Sequence, residues 1–218
     1  MRCLPWKIVL QQNQTMKIFC VGRNYAAHIE ELKNEKPAEP VIFMKPDTAL
    51  VRNNDPVYYP EFTKDLHFET EVVLRICKEG KYIQPQFADS YYDAIGLGID
   101  FTARDLQSKL KEKGLPWEIA KAFNASAPVS GFIPKSELGD LSALSFGLKV
   151  NEVERQNGNT RLMLFTFTDI LVYVSQFFTL KTGDLVFTGT PEGVGPVKIG
   201  DRLQGYLEDR PMFDFEIK

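Results

Sequence analysis

Two glutamates spaced two residues apart, Glu69 and Glu71, stand in the run Leu66-His67-Phe68-Glu69-Thr70-Glu71-Val72-Val73-Leu74. In a strand, residues i and i+2 share a face, so both carboxylates project together, away from Phe68, Thr70, Val72 and Leu74. Adjacent like charges on an apolar strand repel each other and resist burial, and a hard divalent cation with oxygen ligands compensates both at once. An exposed strand face with paired glutamates is the plain alternative. A third carboxylate, Asp100, ends the strand-like run Ala94-Ile95-Gly96-Leu97-Gly98-Ile99 and leads into a helical segment. It can serve as a helix N-cap, or as a third oxygen ligand. Two Glu and one Asp, with no Cys or paired His, suit Mg²⁺ or Mn²⁺ far better than zinc. Three protein oxygens leave about three octahedral positions for water and a chelating substrate.

A second constellation lies in Gly22-Arg23-Asn24-Tyr25-Ala26-Ala27-His28-Ile29-Glu30-Glu31. His28 and Glu31 are i, i+3 neighbours on a helical turn, where their side chains can meet. A carboxylate on one imidazole nitrogen fixes the tautomer and raises the basicity of the other, as in a base that activates water. A solvated histidine on an acidic helix face is the alternative. The loop Thr188-Gly189-Thr190-Pro191-Glu192-Gly193-Val194-Gly195 has the spacing of neither a nucleotide-phosphate loop nor a dinucleotide fingerprint. Its backbone N–H groups and the Thr190 hydroxyl can hold a small carboxylate, and a structural turn explains it equally well.

These residues need elements to position them. Strand signals cover 17–21, 41–44, 68–76, 95–99, 146–150, 185–188 and 213–217. Helices are expected over 25–33, capped by Asn24; over 102–113, stopped by Gly114 and Pro116; and over 168–178, capped by Thr168 or Asp169. Gly158 marks a turn, and residues 34–39 form a polar flap between strands. Strands outnumber helices and do not alternate strictly with them. The expected fold is therefore a β-rich α+β domain, a rolled or sandwiched sheet with a few peripheral helices.

The composition agrees with one soluble domain. The 218 residues are 44% hydrophobic and 25% charged, with a formal net charge of −3 that concentrates no positive charge against nucleic acid or an anionic membrane. No apolar run reaches the roughly 18 residues of a membrane-spanning helix. Cys3, Cys20 and Cys77 lack disulfide or zinc spacing, and Cys20 and Cys77 lie in apolar stretches that read as core thiols of a reducing cytoplasm. Residues 1–15 lack the continuous apolar region of a signal peptide. They read as a leader or start-site extension, with translation starting at Met16 and one catalytic domain over 16–218.

Together, CVGRNYAAHIEE, PVIFMKP, LHFETEVVLRI, GIDFTARDLQ, GLPWEIAKAF, LKVN with VERQ, and FTGTPEGVGPVKIGD resemble the fumarylacetoacetate hydrolase superfamily, in its short acylpyruvase-type branch, from about Met16 to the C-terminus. The resemblance implies the family's rolled mixed β-sheet and a homodimer. It implies that Glu69, Glu71 and Asp100 bind Mg²⁺ or Mn²⁺, that His28 and Glu31 activate water from a lid helix, and that Lys121 stands near the metal. It implies substrate contacts from Arg23, Tyr25, Arg104, Gln107 and Thr190. The implied substrate is a small 2-oxo acid. The implied reaction is C–C cleavage to a pyruvate enolate stabilised by the metal: hydrolysis of an acylpyruvate, or decarboxylation of oxaloacetate. An isomerase or decarboxylase of hydroxylated heptadienedioates is the alternative within the family, and a non-catalytic metal-holding β-rich module the alternative outside it. Two positions depart from the family pattern: Phe68 replaces a frequent second histidine, and Asn151-Glu152 stands at a turn that is often Asn-Gly.

Overall fold

The computed structural model describes residues 16–32 and 35–218; the leader segment and Cys3 lie outside the described residues. A six-stranded mixed sheet runs in the order Val41–Lys45, Ile18–Gly22, Leu185–Phe187, Thr70–Ile76, Tyr92–Ile99, Ile133–Pro134. Ile18–Gly22 and Leu185–Phe187 pair in parallel, and the other neighbours are antiparallel. A four-stranded antiparallel sheet, Val153–Asn159, Ser145–Val150, Arg202–Leu207 and Arg210–Glu216, packs against it.

Alternation along the strands builds the core between these sheets. Val72, Leu74, Ile95 and Leu97 face Phe146, Leu148, Leu203 and Phe215, while Val73 joins Ile18, Cys20 and Phe187 in a smaller cluster on the other side. The central strands are thus buried on both faces. That is why their sequence is nearly continuously apolar, and why a charged residue among them needs an explanation.

Among the described residues, four α-helices decorate the sheets: α1 (Ala26–Glu31), α2 (Arg104–Glu112), α3 (Glu118–Lys121) and α4 (Phe167–Phe177). Ile170, Leu171 and Val174 of α4 enter the main core. Gly114 follows α2 at φ +62, the left-handed conformation that ends helices and that glycine adopts freely.

The β-rich α+β expectation stands, with local corrections. Asn24 does not cap α1; its side chain bridges Thr188 and Phe165. Thr102–Ala103 is a short strand paired with Leu66–His67, so α2 starts two residues late. The cap of α4 is Thr166, in a reciprocal capping box with Asp169, because the hydroxyl reaches the third N–H. Gly158 lies inside a strand opposite Phe146, and the hairpin turn falls at Asn151-Glu152, with φ of 52 and 67. Cys77 is half-buried rather than a core thiol, at the end of its strand. Of the flap over 34–39, Glu39 accepts a hydrogen bond from the Tyr173 hydroxyl of α4.

Candidate active site

The expected continuous strand over 68–76 breaks at Glu69. Leu66–Phe68 pairs with Gly195–Pro196 and Thr102–Ala103, whereas Thr70–Ile76 joins the large sheet. Asp100 sits at the matching break on the neighbouring chain segment, and its N–H donates to Glu69 O at 2.8 Å. The two breaks turn three carboxylates toward one point: ligand oxygens of Glu69, Glu71 and Asp100 lie within 4.8 Å of one another. They are 5%, 2% and 1% exposed. This burial removes the exposed-face alternative. Asp100 is not a helix cap either, since Ala103 holds that position.

Buried carboxylates need partners, and the three are served unequally. Glu69 accepts from Lys121 Nζ at 2.7 Å and from Arg104 at 2.5 Å. Burial raises its pKa, but Lys121, Arg104 and His28 outweigh that and hold it well below the carboxylate range. Lys121 also donates to Asp100 Oδ2 at 2.7 Å and Thr102 Oγ1 at 2.6 Å. Burial works against its charge, yet Asp100 and Glu69 keep its pKa above that of ordinary lysine. Asp100 Oδ1 has Lys45 Nζ at 2.8 Å as an ion-pair contact without hydrogen-bond geometry, so its lone pair is left without a hydrogen bond. Glu71 accepts from Gly189 N–H at 2.7 Å. Burial, then Asp100, pushes Glu71 well above the carboxylate range. Three oxygens, one of them without a hydrogen bond and one on a carboxylate that resists ionisation, fit a hard divalent cation, which removes both penalties together.

His28 lies on α1 and is 5% exposed, which removes the solvated-histidine alternative. Its Nδ1 is 3.3 Å from Glu31 Oε2. Burial lowers the His28 pKa against the opposing pull of Glu69 and Glu31, so the imidazole is neutral and able to accept a proton at neutral pH. Glu31 in turn accepts from Gly193 N–H at 3.1 and 3.3 Å. The glycine-rich loop therefore holds the protein's own carboxylates, Glu71 through Gly189 and Glu31 through Gly193. Both glycines have positive φ, and a Cβ would meet Asn24 Cβ at 2.6 Å or Arg155 O at 2.2 Å.

The model of the fumarylacetoacetate (FAA) hydrolase C-terminal family matches residues 17–218. The chain belongs to this family. It is 43% identical over 201 residues to oxaloacetate tautomerase FAHD1, mitochondrial, of Bos taurus, covering 92% of this chain and 91% of that one. It is likewise 43% identical over 189 residues to oxaloacetate decarboxylase, mitochondrial, of Dictyostelium discoideum, covering 86% and 87%. Among solved structures, the fumarylpyruvate hydrolase of Pseudomonas aeruginosa in complex with Mn²⁺ and pyruvate superposes with a TM-score of 0.88 at 37% identity, covering 93% and 89%.

Around the acidic triad of this family member, the other expected residues fall into two groups. Arg104 and Gln107 are directly joined, Arg104 Nη1 donating to Gln107 Oε1 at 2.7 Å, and Arg104 Nε is buried without a partner among the described residues. Tyr25 is buried, with its hydroxyl unpartnered among the described residues; burial, Glu71 and Glu192 hold its phenol protonated. These orphaned donors suit a ligand oxygen. Thr190 instead accepts from Gln156 Nε2 at 2.8 Å, and Arg23 sits before α1 at φ +60.

Two residues escaped the sequence reading. Lys45 is fully buried: its Nζ donates to Ser126 O and Oγ at 3.1 and 3.0 Å and to the Lys121 carbonyl, besides pairing with Asp100. Its sequence signals are a lysine closing the apolar run Val41-Ile42-Phe43-Met44 and its place in the block PVIFMKP. Gln156 accepts from Thr70 N–H at 2.9 Å and donates to Thr190 and the Pro191 carbonyl, tying the strand between the two glutamates to the glycine-rich loop. It closes the block VERQ, which carries part of the family resemblance but no sign of a role for the glutamine.

Proposed function

We propose that the chain is a Mg²⁺- or Mn²⁺-dependent enzyme of small 2-oxo acids, which tautomerises and decarboxylates oxaloacetate and hydrolyses acylpyruvates. The observation that carries this reading is the pairing of a buried three-carboxylate centre with a neutral, buried His28 in electrostatic range of Glu69. The names of the relatives support it, and none favours a non-catalytic module. Held by Glu69, Glu71 and Asp100, the divalent ion would supply Lewis acidity toward the keto and carboxylate oxygens of the substrate.

The chain's own groups do the rest. Lys121 and Arg104 add fixed positive charge where an oxyanion develops. Tyr25 and Arg104 Nε offer unpaired donors that orient substrate oxygens. His28, steadied by Glu31, takes a proton. In tautomerisation that proton comes from C3 of oxaloacetate and is returned at the 2-oxygen. In acylpyruvate hydrolysis it comes from the water that attacks the distal carbonyl. Loss of CO₂ breaks the C3–C4 bond, leaves the electron pair on the pyruvate enolate and requires no base. Arg23, Gln107 and Thr190 complete the proposed substrate contacts. A homodimer and a cytoplasmic setting belong to the same proposal, the first checked by light scattering.

The test is a panel of oxaloacetate and acetylpyruvate with either ion supplied, following enol–keto absorbance and pyruvate release. Replacing His28 by Ala should abolish tautomerisation and acetylpyruvate cleavage while CO₂ loss persists. Turnover of neither acid by the folded, metal-supplied protein refutes the reading.

A further inference from the structure

Val153–Asn159 is an edge strand of the four-stranded sheet, and its core-facing positions call for apolar side chains. Gln156 breaks that rule: it pairs across the strands with Leu148 and is 1% exposed. A buried carboxamide is costly unless its oxygen and both N–H groups are engaged. Gln156 engages all of them between the strand of the two glutamates and the glycine-rich loop. Its Oε1 accepts from Thr70 N–H at 2.9 Å, and Nε2 donates to Thr190 Oγ1 at 2.8 Å and to the Pro191 carbonyl at 3.0 Å. The loop is pressed onto this strand around the glutamine. A Cβ on Gly158 would meet Pro191 Cγ at 2.8 Å, and Gly193 has no room for one beside the Arg155 carbonyl.

Two of these partners fix which way the amide faces. A backbone N–H only donates and a carbonyl only accepts. Turning the amide over would set N–H against the Thr70 N–H and oxygen against the Pro191 oxygen. The NH₂ group therefore faces Thr190, and Thr190 Oγ1 is the acceptor of that bond. A hydroxyl carries one proton, and this one is not spent on Gln156. Thr190 is 3% exposed, and its O–H has no acceptor among the described residues. One residue earlier, Gly189 N–H holds Glu71 Oε2 at 2.7 Å, so the hydroxyl stands on the loop that rims the three carboxylates. A buried donor in that place calls for an acceptor from a ligand.

We propose that Gln156 is a positioning residue of the site, holding the Thr190 hydroxyl as an obligate hydrogen-bond donor to a carboxylate oxygen of the 2-oxo acid. The substrate in this statement rests on the function proposed above. An ionised carboxylate is acceptor-only, so it takes the O–H without competition. Without the carboxamide, the Pro191 carbonyl loses its donor and competes with the substrate for the Thr190 proton. Gln156 touches no substrate atom; it acts by deciding where one proton points. Specificity follows, because a ligand with no acceptor at that point leaves a buried donor unpaired.

The experiment has an arm that needs no turnover. Oxalate presents a carboxylate beside a second metal-seeking oxygen, and calorimetry follows its binding at saturating Mn²⁺. Gln156→Met should weaken oxalate by about 10-fold, the scale of one hydrogen bond to a charged group. In a Thr190→Val background the same change should cost less than about 2-fold. Losses of equal size in the two backgrounds make Gln156 merely structural and overturn the proposal. With acetylpyruvate, Gln156→Met should raise KM about 10-fold and keep kcat within about 3-fold, because ground and transition states share the contact. A fall in kcat at unchanged KM contradicts it. Should Gln156→Met not fold, neutron diffraction from crystals of the unaltered protein with Mn²⁺ and oxalate decides. The Thr190 deuteron should point at an oxalate oxygen, and one directed at Gln156 or at a loop carbonyl overturns the proposal. Coupled losses of oxalate affinity without turnover of either oxo acid by the parent chain leave Gln156 in its role and refute the proposed function instead.

Discussion

Gly193→Ala tests whether the glycine-rich loop positions the base. The new Cβ would lie 2.2 Å from the Arg155 carbonyl oxygen, against the 3.4 Å of ordinary contact, so backbone must move by about 1.2 Å. The same residue holds φ +90, which for an alanine costs about 1–2 kcal/mol. Gly200 separates the two effects, because its φ is +95 and nothing lies within 4 Å of its added Cβ. Gly200→Ala should lower Tm by roughly 2–8 °C, the range that such strain produces in a chain of this size, and leave kcat/KM unchanged. Gly193→Ala should lower Tm further and reduce kcat/KM by up to about 100-fold, the scale of a misplacement of about 1 Å. The reason is that its N–H anchors Glu31, which orients His28. Mn²⁺ affinity should change less than about 3-fold, since Glu71 hangs on a different amide, that of Gly189. Steady-state kinetics with metal titration decides the matter. If folded Gly193→Ala keeps the kcat/KM of Gly200→Ala, the Gly193–Glu31 contact does not position the base.

Removal of Lys45 takes from Asp100 one of its two buried cations, Lys121 being the other, and one hydrogen bond each from the carbonyl and hydroxyl of Ser126; Lys45→Met should cost about 3–5 kcal/mol in urea unfolding of the metal-free protein. Glu71 has a raised pKa in the folded, metal-free chain, so the folded state binds more protons than the unfolded one above the ordinary carboxylate pKa. Chelated protein should therefore lose Tm as pH rises from about 4.5 until Glu71 ionises. Glu71→Gln should remove that slope, and Mg²⁺ should reverse it; a scan of Tm against pH with and without chelator checks all three. Because burial lowers the pKa of His28, the acid limb of kcat/KM for acetylpyruvate should fall below the ordinary histidine value near 6.5. A limb above that value contradicts a neutral His28 base.

The chemistry was more legible in the sequence than the local chain path. Glu69 and Glu71 could be paired from their period, and Asp100 could be added from its place at a strand end, because spacing and residue type carry that information. The break at Glu69 could not be read, since the run 66–76 is uniformly strand-like and its division depends on partners more than thirty and more than a hundred residues away. Helix α4 was legible, but its cap is Thr166 rather than Thr168 or Asp169, because which hydroxyl meets a free N–H depends on where the first turn begins. Asn24 looked like a cap by type, yet its amide is occupied by Phe165 and Thr188, more than 140 residues away. Lys45 and Gln156 stand in the blocks PVIFMKP and VERQ, but they act through backbone carbonyls and amides brought close by tertiary structure, a role that residue type and spacing do not state. The oxaloacetate tautomerase named among the relatives was not anticipated, although it draws on the same proton acceptor at a different substrate atom.

The central claim is that Glu69, Glu71 and Asp100 hold one divalent ion beside His28. Anomalous diffraction from crystals grown with Mn²⁺ tests it most directly. The expected result is one strong manganese peak bonded to an oxygen of each of the three carboxylates, absent from Glu69→Gln crystals. Loaded crystals with no peak among these carboxylates, or with the ion bound elsewhere, would contradict it.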